Sequence, residues 1–124
     1  MNDQITDKKF DLEERTAKFG EDIIDFVKSM KNDDISRPLI NQIIRSATSI
    51  GANYMEANGA SSRKDFRNKI HICQKETKET KHWLRMLVKS APEEKDKARV
   101  LWQECQELSL IFGRITVTMN KDKN

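Results

Sequence analysis

The strongest constraint on the fold is a regular alternation of four- and three-residue steps between mostly apolar positions in the second half of the chain. A repeat of 3.5 residues keeps such positions on one side of an α-helix and is typical of helices that pack side by side. The steps join Phe66, Ile70, Cys73, Thr77, Thr80, Leu84 and Leu87 in one segment, and Leu101, Cys105, Leu108, Phe112, Ile115 and Met119 in the next.

The first half of the chain carries two more patterns of the same kind. One joins Leu12, Phe19, Ile23, Phe26, Val27 and Met30, and the other joins Leu39, Ile43, Ala47, Ile50 and Tyr54. Residues typical of helix starts precede each of the four patterns: Asp11 with Glu14, Ser36, Ser62 with Asp65, and Ser90 with Glu93. Gly59 follows the second pattern, and we expect it to adopt the left-handed conformation that commonly ends a helix.

These patterns predict an all-α protein, an antiparallel up-down-up-down four-helix bundle with helices at about 11–32, 37–58, 63–89 and 92–119. Short turns oblige each helix to fold back on its neighbour. We expect a flexible arm at 1–10, a single bundle domain at 11–120 and a flexible tail at 121–124. The alternative is an open helical array that is completed only by oligomerisation.

Composition and hydropathy limit the cellular compartment expected for this protein. No apolar run approaches the roughly 18 residues that a membrane span needs, and the first residues lack the apolar core of a signal peptide. We therefore expect a cytoplasmic protein without a membrane partner. Cys73 and Cys105 both fall on the apolar patterns, where a free cysteine acts as a small hydrophobic residue.

The second helix carries a polar stripe beside its apolar positions, formed by Gln42, Arg45, Ser49, Asn53 and Glu56. In an antiparallel hairpin Arg45 should lie level with Glu76, Gln42 with Glu79, and Glu56 near Lys64 and Arg67. Such opposed charges predict a partly buried polar network that sets the register of the two helices. The alternative is that Glu76 and Glu79 are solvated and pair with neighbours on their own helix.

Small residues are concentrated on the same helix, at Ala47, Ser49, Gly51 and Ala52. A Gly inside a helix costs about 1 kcal/mol relative to Ala. We therefore expect a neighbouring helix to approach closely at Gly51.

The run Q-x-x-R-x-x-x-S-x-x-x-N-x-x-E from Gln42 to Glu56 resembles the bacterial 23S ribosomal RNA intervening-sequence proteins. The helix start at Ser62 to Phe66 and the block K-E-x-x-E-T-x-x-W-L from Lys75 to Leu84 continue the resemblance, which extends from about Arg37 to Met119. It implies an antiparallel four-helix bundle, a ring-like homopentamer and no established catalysis. Some proteins of that family are encoded inside insertions in ribosomal RNA genes, and a more distantly similar group are accessory subunits of diversity-generating retroelements; the resemblance leaves the genetic context open.

Positive charge is concentrated in the third helix. Residues 62–90 hold nine Lys and Arg against three acidic residues, although the net charge of the chain is only +3. A single-sign stripe along a helix about 40 Å long is an electrostatic footprint for phosphates. The alternative is an ordinary solvated face, and no aromatic residue interleaves the stripe. The candidate nucleic-acid-binding residues are Lys64, Arg67, Lys75, Lys78, His82, Arg85 and Lys89.

Motifs for catalysis, cofactors and metals are weak. Glu79 and His82 form one E-x-x-H pair, whereas di-iron bundles need two such pairs and further carboxylates. There is no phosphate-binding glycine loop and no nucleophile–histidine set. We expect a protein that is not an enzyme and that has no cofactor or metal.

Apolar residues exceed what the core patterns require, which favours self-association. Trp83 and Trp102 are the candidate anchors of a subunit interface, since Trp is enriched at interface centres; the alternative is that both cap the core. The sequence therefore predicts a non-enzymatic homo-oligomer. Its expected partners are copies of itself, together with RNA, DNA or a nucleic-acid-binding protein. The alternative is a structural oligomer with no nucleic-acid role.

Overall fold

The computed structural model describes the backbone of residues 3–122 and the side chains of residues 12–121. Within that part the secondary structure is helical and contains no strand. A 3₁₀ turn at Pro92–Glu94 precedes the last of the helices. The helices are α1 (Asp3–Lys28), α2 (Ser36–Asn58), α3 (Arg63–Ser90) and α4 (Lys95–Asp122). The prediction of an all-α protein with four helices is confirmed.

The outer bounds of the first and last helices differ from the predicted bounds. α1 begins at Asp3 instead of residue 11, so its helical backbone covers most of the stretch predicted to be an arm. Residues 3–11 contain no Gly or Pro that would interrupt a helix. α4 likewise continues to Asp122, into the predicted tail. Residues 1–2 and 123–124, which complete the predicted arm and tail, lie outside the described residues.

The caps at the helix starts agree with the prediction only at α3. There the Ser62 hydroxyl accepts a hydrogen bond from the Asp65 N–H at 3.0 Å. At α2 the predicted cap Ser36 is wrong, because the Asp33 carboxylate accepts the N–H groups of Ile35 and Ser36 at 3.0 and 2.8 Å. These bonds, led by those from Ser36, lower the pKa of Asp33. An aspartate is as good a cap as a serine, and this one is placed to satisfy two free donors.

The turns after α2 and α3 also differ from the prediction. Gly59 has φ −96°, so it is not the left-handed residue that was predicted. Its N–H instead bonds to carbonyls of the last turn of α2. Ser90 is the last residue of α3, and its hydroxyl donates to the Leu87 carbonyl at 3.0 Å instead of capping α4. The predicted capping pair at residues 11 and 14 lies inside α1.

The four apolar patterns meet in one core. Their central members are buried, and only positions near the helix ends, such as Phe66 and Met119, are half-buried. The largest fully buried side chains of these patterns are Phe19, Ile23, Ile43, Ile50, Ile70, Leu84, Leu87, Leu108 and Phe112. Burial of a side chain of this size stabilises the fold by about 1.5–3 kcal/mol, so the patterns also mark where the stability lies.

Cross-helix contacts pair rising residue numbers on one helix with falling numbers on the next. Between α2 and α3, the hydroxyls of Ser46 and Thr80 lie 2.8 Å apart, and the Cys73 thiol donates to the Ile50 carbonyl at 3.5 Å. These pairs agree with the predicted up-and-down order.

α1 contacts both α2 and α4, so the helices close on one another and do not form the alternative open array. Arg15 of α1 donates to Glu104 and Glu107 of α4 at 2.7 and 2.8 Å. The hydrogen bond to Glu104 is the main reason that the pKa of Arg15 is raised. This ion pair therefore holds the first helix against the last.

Candidate functional site

The side chains predicted to contact nucleic acid form a stripe along the outer side of α3, referred to below as the α3 stripe. They recur at three- and four-residue steps, apart from one eight-residue step between Arg67 and Lys75, opposite the buried positions of that helix, which is why they share one face. Lys64, Lys75, Lys78, His82, Arg85 and Lys89 are exposed, and Arg67 is half-buried. Among residues 12–121, no Lys or Arg of this set forms an ion pair. The α3 stripe therefore presents uncompensated positive charge to solvent.

Two cations that α3 turns towards its neighbours are engaged within the subunit. Lys69 bonds to Glu56 of α2 at 2.7 Å, and Lys81 donates to Gln106 of α4 at 2.5 Å. The predicted neighbours of Glu56 at positions 64 and 67 are wrong, because the helical period places those residues on the outer face and Lys69 on the side facing α2. Lys69 and Lys81, which face α2 and α4, therefore form contacts within the subunit, whereas the Lys and Arg side chains of the α3 stripe form no ion pair among the described residues.

Arg45 joins α2 to two carboxylates of α3. Its guanidinium lies 3.3 Å from Glu76 and also bonds to Glu79. The Glu76 side chain is only 8% exposed, whereas that of Arg45 is 47% exposed. The indole N–H of Trp83 donates to Glu79 at 3.3 Å. The structure therefore brings three residues of the predicted network together and adds Trp83 to them.

Of the remaining members of the predicted network, Glu56 reaches α3 through Lys69, whereas Gln42, Ser49 and Asn53 form no hydrogen bond to α3 among the described residues. The Ser49 hydroxyl donates to the Arg45 carbonyl at 2.6 Å, and the Asn53 amide donates to the Ser49 carbonyl at 2.8 Å. Both bonds stay within α2, since short polar side chains can reach the carbonyl one turn earlier. Gln42 is exposed, and no hydrogen bond of its side chain is among the contacts of the described residues. The network is therefore shorter than predicted and centres on Arg45.

A cleft between α3 and α4 extends the α3 stripe onto a second helix. Arg85 of α3 lies on one side, and Lys95, Arg99 and Trp102 of α4 lie on the other. Of these α4 residues, Trp102 was predicted only as an interface anchor, and Lys95 and Arg99 were not among the predicted site residues. Their four- and three-residue spacing shows that they share a face, but not that this face borders the basic side of α3.

The two tryptophans predicted as interface anchors have different surroundings. Trp83 is half-buried, bonds to Glu79, and packs edge-on against His82 with ring centroids 4.9 Å apart. Trp102 is 40% exposed, and the Lys81 ammonium lies 5.0 Å from its ring centroid. Trp102 is therefore the one of the two with a large free surface.

The cysteines and acidic residues offer little chemistry in the described part of the chain. Cys73 and Cys105 are buried and free, and burial raises the pKa of each thiol to about 12. No group of three or more His, Cys, Asp or Glu among the described residues is placed to hold a metal ion. Within residues 3–122, no helix has the length and apolarity needed to cross a bilayer.

The closed bundle and the α3 stripe place this chain in a class of small all-α proteins with a basic face. The sequence shows to which family of that class it belongs. Residues 8–114 match the family model of the 23S rRNA-intervening sequence protein. The match covers most of the chain, so the chain belongs to the 23S rRNA-intervening sequence protein family.

A solved structure supports the same assignment. The chain is similar to a protein with unknown function from the S23 ribosomal protein family of Bacteroides thetaiotaomicron VPI-5482, known from its crystal structure. The two are 31% identical with a TM-score of 0.78, and the similarity covers 85% of this chain and 97% of the other. No curated protein matches the chain.

Proposed function

We propose that this chain is a non-enzymatic, homo-oligomeric binding protein that contacts the backbone of RNA or DNA through the α3 stripe. The single observation that carries the proposal is the absence of a carboxylate partner for the stripe's lysines and arginines within the described residues, while Lys69 of the same helix is paired. We place its site of action in the cytoplasm.

The physical argument is electrostatic. Exposed Lys and Arg that are not neutralised by the protein can displace the counterions that surround phosphates, and this displacement drives association. The stripe is a row of exposed cations along one helix face, so its contacts are to phosphate and sugar and tolerate many sequences. A nucleoprotein that displays the same phosphates is an equivalent partner.

Charge reversal tests the proposal. In the variant Lys75→Glu/Lys78→Glu/Arg85→Glu, we expect binding of duplex DNA and RNA to be lost at moderate salt. The slope of log affinity against log salt concentration should fall by roughly 0.9 for each phosphate contact that is removed. Fluorescence anisotropy over a salt series measures both quantities.

A matched control carries the same change of charge elsewhere. Lys28, Lys31 and Lys121 are exposed and lie outside α3, so Lys28→Glu/Lys31→Glu/Lys121→Glu should bind much as the unchanged protein does. Equal weakening of both variants would reduce the effect to net charge alone. Failure of the unchanged protein to bind at low ionic strength would end the proposal.

The self-association part is supported by exposed apolar side chains. Ile24 and Met55 flank a shallow cleft between α1 and α2, whose floor includes Gly20 and Gly51. An apolar surface of this kind is better covered by a second subunit than left in water.

The second candidate function is a structural or protein-binding oligomer with no nucleic-acid role. It is favoured by Leu110 and Val117, which are 51% and 54% exposed and lie seven residues apart on one face of α4. That function predicts assembly without any salt-dependent retention of nucleic acid, so the charge-reversal experiment separates the two candidates.

A further inference from the structure

The α3–α4 cleft differs from the rest of the basic surface because it combines positive charge with an aromatic ring and an apolar floor. Its volume is about 480 Å³, and it lies open to solvent beside the α3 stripe. No carboxylate is among the described side chains that line it. The lining residues that matter are Leu84 and Val88 on the floor, Arg85, Lys95 and Arg99 as cations, and Trp102.

Trp102 is held in place while part of its ring stays accessible. The ammonium of Lys81 lies 5.0 Å from the centroid of the indole, close enough for an attractive cation–π contact. Lys81 is itself anchored by its hydrogen bond to Gln106. Since 40% of Trp102 remains exposed, the cleft offers a positioned aromatic surface that needs little ordering on binding.

The chemistry of this cleft selects one kind of polyanion. Charge alone would attract any phosphate chain. An aromatic surface beside apolar side chains also binds a planar ring, because stacking removes apolar surface of both from water. A single-stranded nucleic acid can supply an unstacked base together with flanking phosphates, whereas a duplex keeps its bases stacked inside. Arg85 belongs both to the cleft and to the α3 stripe, so one strand can contact both.

We infer that the cleft is a single-strand-specific subsite, in which Trp102 stacks on one base while Arg85, Lys95 and Arg99 contact the adjacent phosphates. The inference rests on the proposed function, since it names which form of nucleic acid the basic surface prefers. It also assigns Trp102 to a ligand instead of a subunit interface.

The test compares single and double strands in one set of variants. The probes are short oligo(dT), short oligo(U) and a DNA duplex of the same length. Trp102→Ala should weaken binding of the single strands by roughly 5- to 150-fold, the range expected for loss of one base stack, and should leave duplex binding little changed. Trp102→Phe, which keeps an aromatic ring, should restore most of the single-strand affinity. The oligonucleotide whose affinity falls more, oligo(U) or oligo(dT), shows whether RNA or DNA supplies the base.

Two controls keep the result interpretable. Val100→Ala removes an exposed apolar side chain from α4 outside the cleft, so single-strand affinity should not change. Trp83→Phe leaves Trp102 as the only indole of the chain, and its fluorescence should be quenched by oligo(dT) or oligo(U).

Four outcomes would overturn the inference. Equal loss of single-strand and duplex binding in Trp102→Ala would show that the ring has no stacking role. A fall in oligomer mass in that variant, with unchanged affinity, would return Trp102 to a subunit contact. Charge-dependent binding of both forms with no effect of Trp102→Ala would remove the subsite while leaving the proposed function intact, whereas absence of any binding by the unchanged protein would remove both.

Discussion

At the residue scale, Arg45 links a buried carboxylate to an exposed one. Its guanidinium bonds to Glu76, which is almost wholly buried, and to Glu79, which is about one-third exposed. A buried carboxylate without a partner is costly, whereas an exposed pair contributes little. The bond to Glu76 is therefore the part of this arrangement that stabilises the fold. It also sets the register of α2 and α3, because a different register would leave the buried carboxylate of Glu76 without its partner.

We expect Arg45→Ala to lower the free energy of unfolding by about 1–3 kcal/mol, because Glu76 would stay buried without its charged donor. Urea denaturation measures the change. The control is Arg37→Ala, whose partner Asp34 is 97% exposed and whose loss should cost under about 0.5 kcal/mol. Adding Glu76→Gln to Arg45→Ala should recover part of the loss. Equal effects of the two single variants would show that Glu76 is adequately solvated.

The burial of the two cysteines predicts how the free energy of unfolding depends on pH. Burial raises the pKa of Cys73 and Cys105 to about 12 in the folded protein, above the ordinary value of 9.0. The unfolded chain therefore releases these protons first as pH rises. The stability that the two thiols contribute is fully present below about pH 9 and is lost between about pH 9 and pH 12.

The same shift predicts that both thiols react very slowly with a thiol reagent at about pH 8, because the thiolate is the reactive form. Addition of urea should expose two reactive groups. An added cysteine in Ile35→Cys, at a position that is 68% exposed, serves as the positive control and should react at once. Rapid reaction of all cysteines in the folded protein would contradict the burial of the native pair.

At the element scale, α1 and α2 approach each other where both carry glycine. A Cβ at Gly51 would lie 3.4 Å from the Thr16 hydroxyl and 3.5 Å from the Thr16 carbonyl, and a Cβ at Gly20 would lie 3.7 Å from Thr48. These are ordinary van der Waals distances. The close approach predicted at Gly51 is present, but it leaves room for one methyl group.

Gly51→Ala should therefore raise the free energy of unfolding by up to about 1 kcal/mol, since Ala is the better helix former and its methyl fits. Gly51→Val adds a branched side chain against Thr16 and should be about 1–3 kcal/mol less stable than Gly51→Ala through overpacking. Thermal unfolding of the two variants measures the difference. A destabilised Gly51→Ala would mean that the helices are packed more tightly than these distances indicate.

At the scale of the whole molecule, the basic surface and the cleft between α1 and α2 are built from different helices. The α3 stripe and the α3–α4 cleft present Lys and Arg side chains, whereas the cleft between α1 and α2 is bordered by Glu13, Glu14 and Glu21. A molecule divided in this way can bind a polyanion on one side while the other side contacts a further subunit.

Light scattering at micromolar concentration should give a mass several times that of the 14.5 kDa chain, and five subunits are expected from the family resemblance. Met55→Glu places a charge beside the apolar cleft of α1 and α2 and should lower that mass, since a buried unpaired charge is costly. Ile35→Glu is the matched control at an exposed apolar position in the α1–α2 turn. A monomeric unchanged protein would contradict the self-association part of the proposed function.

The helices, their buried faces and the level of Arg45 opposite Glu76 follow from the sequence alone, because periodicity and turn length are properties of each segment. The cap at Asp33, the pairing of Glu56 with Lys69 and the cleft beside Trp102 depend on the tertiary structure. These features depend on how far each helix rotates about its own axis and where it starts. Packing of the whole core decides both, and no single segment carries that information.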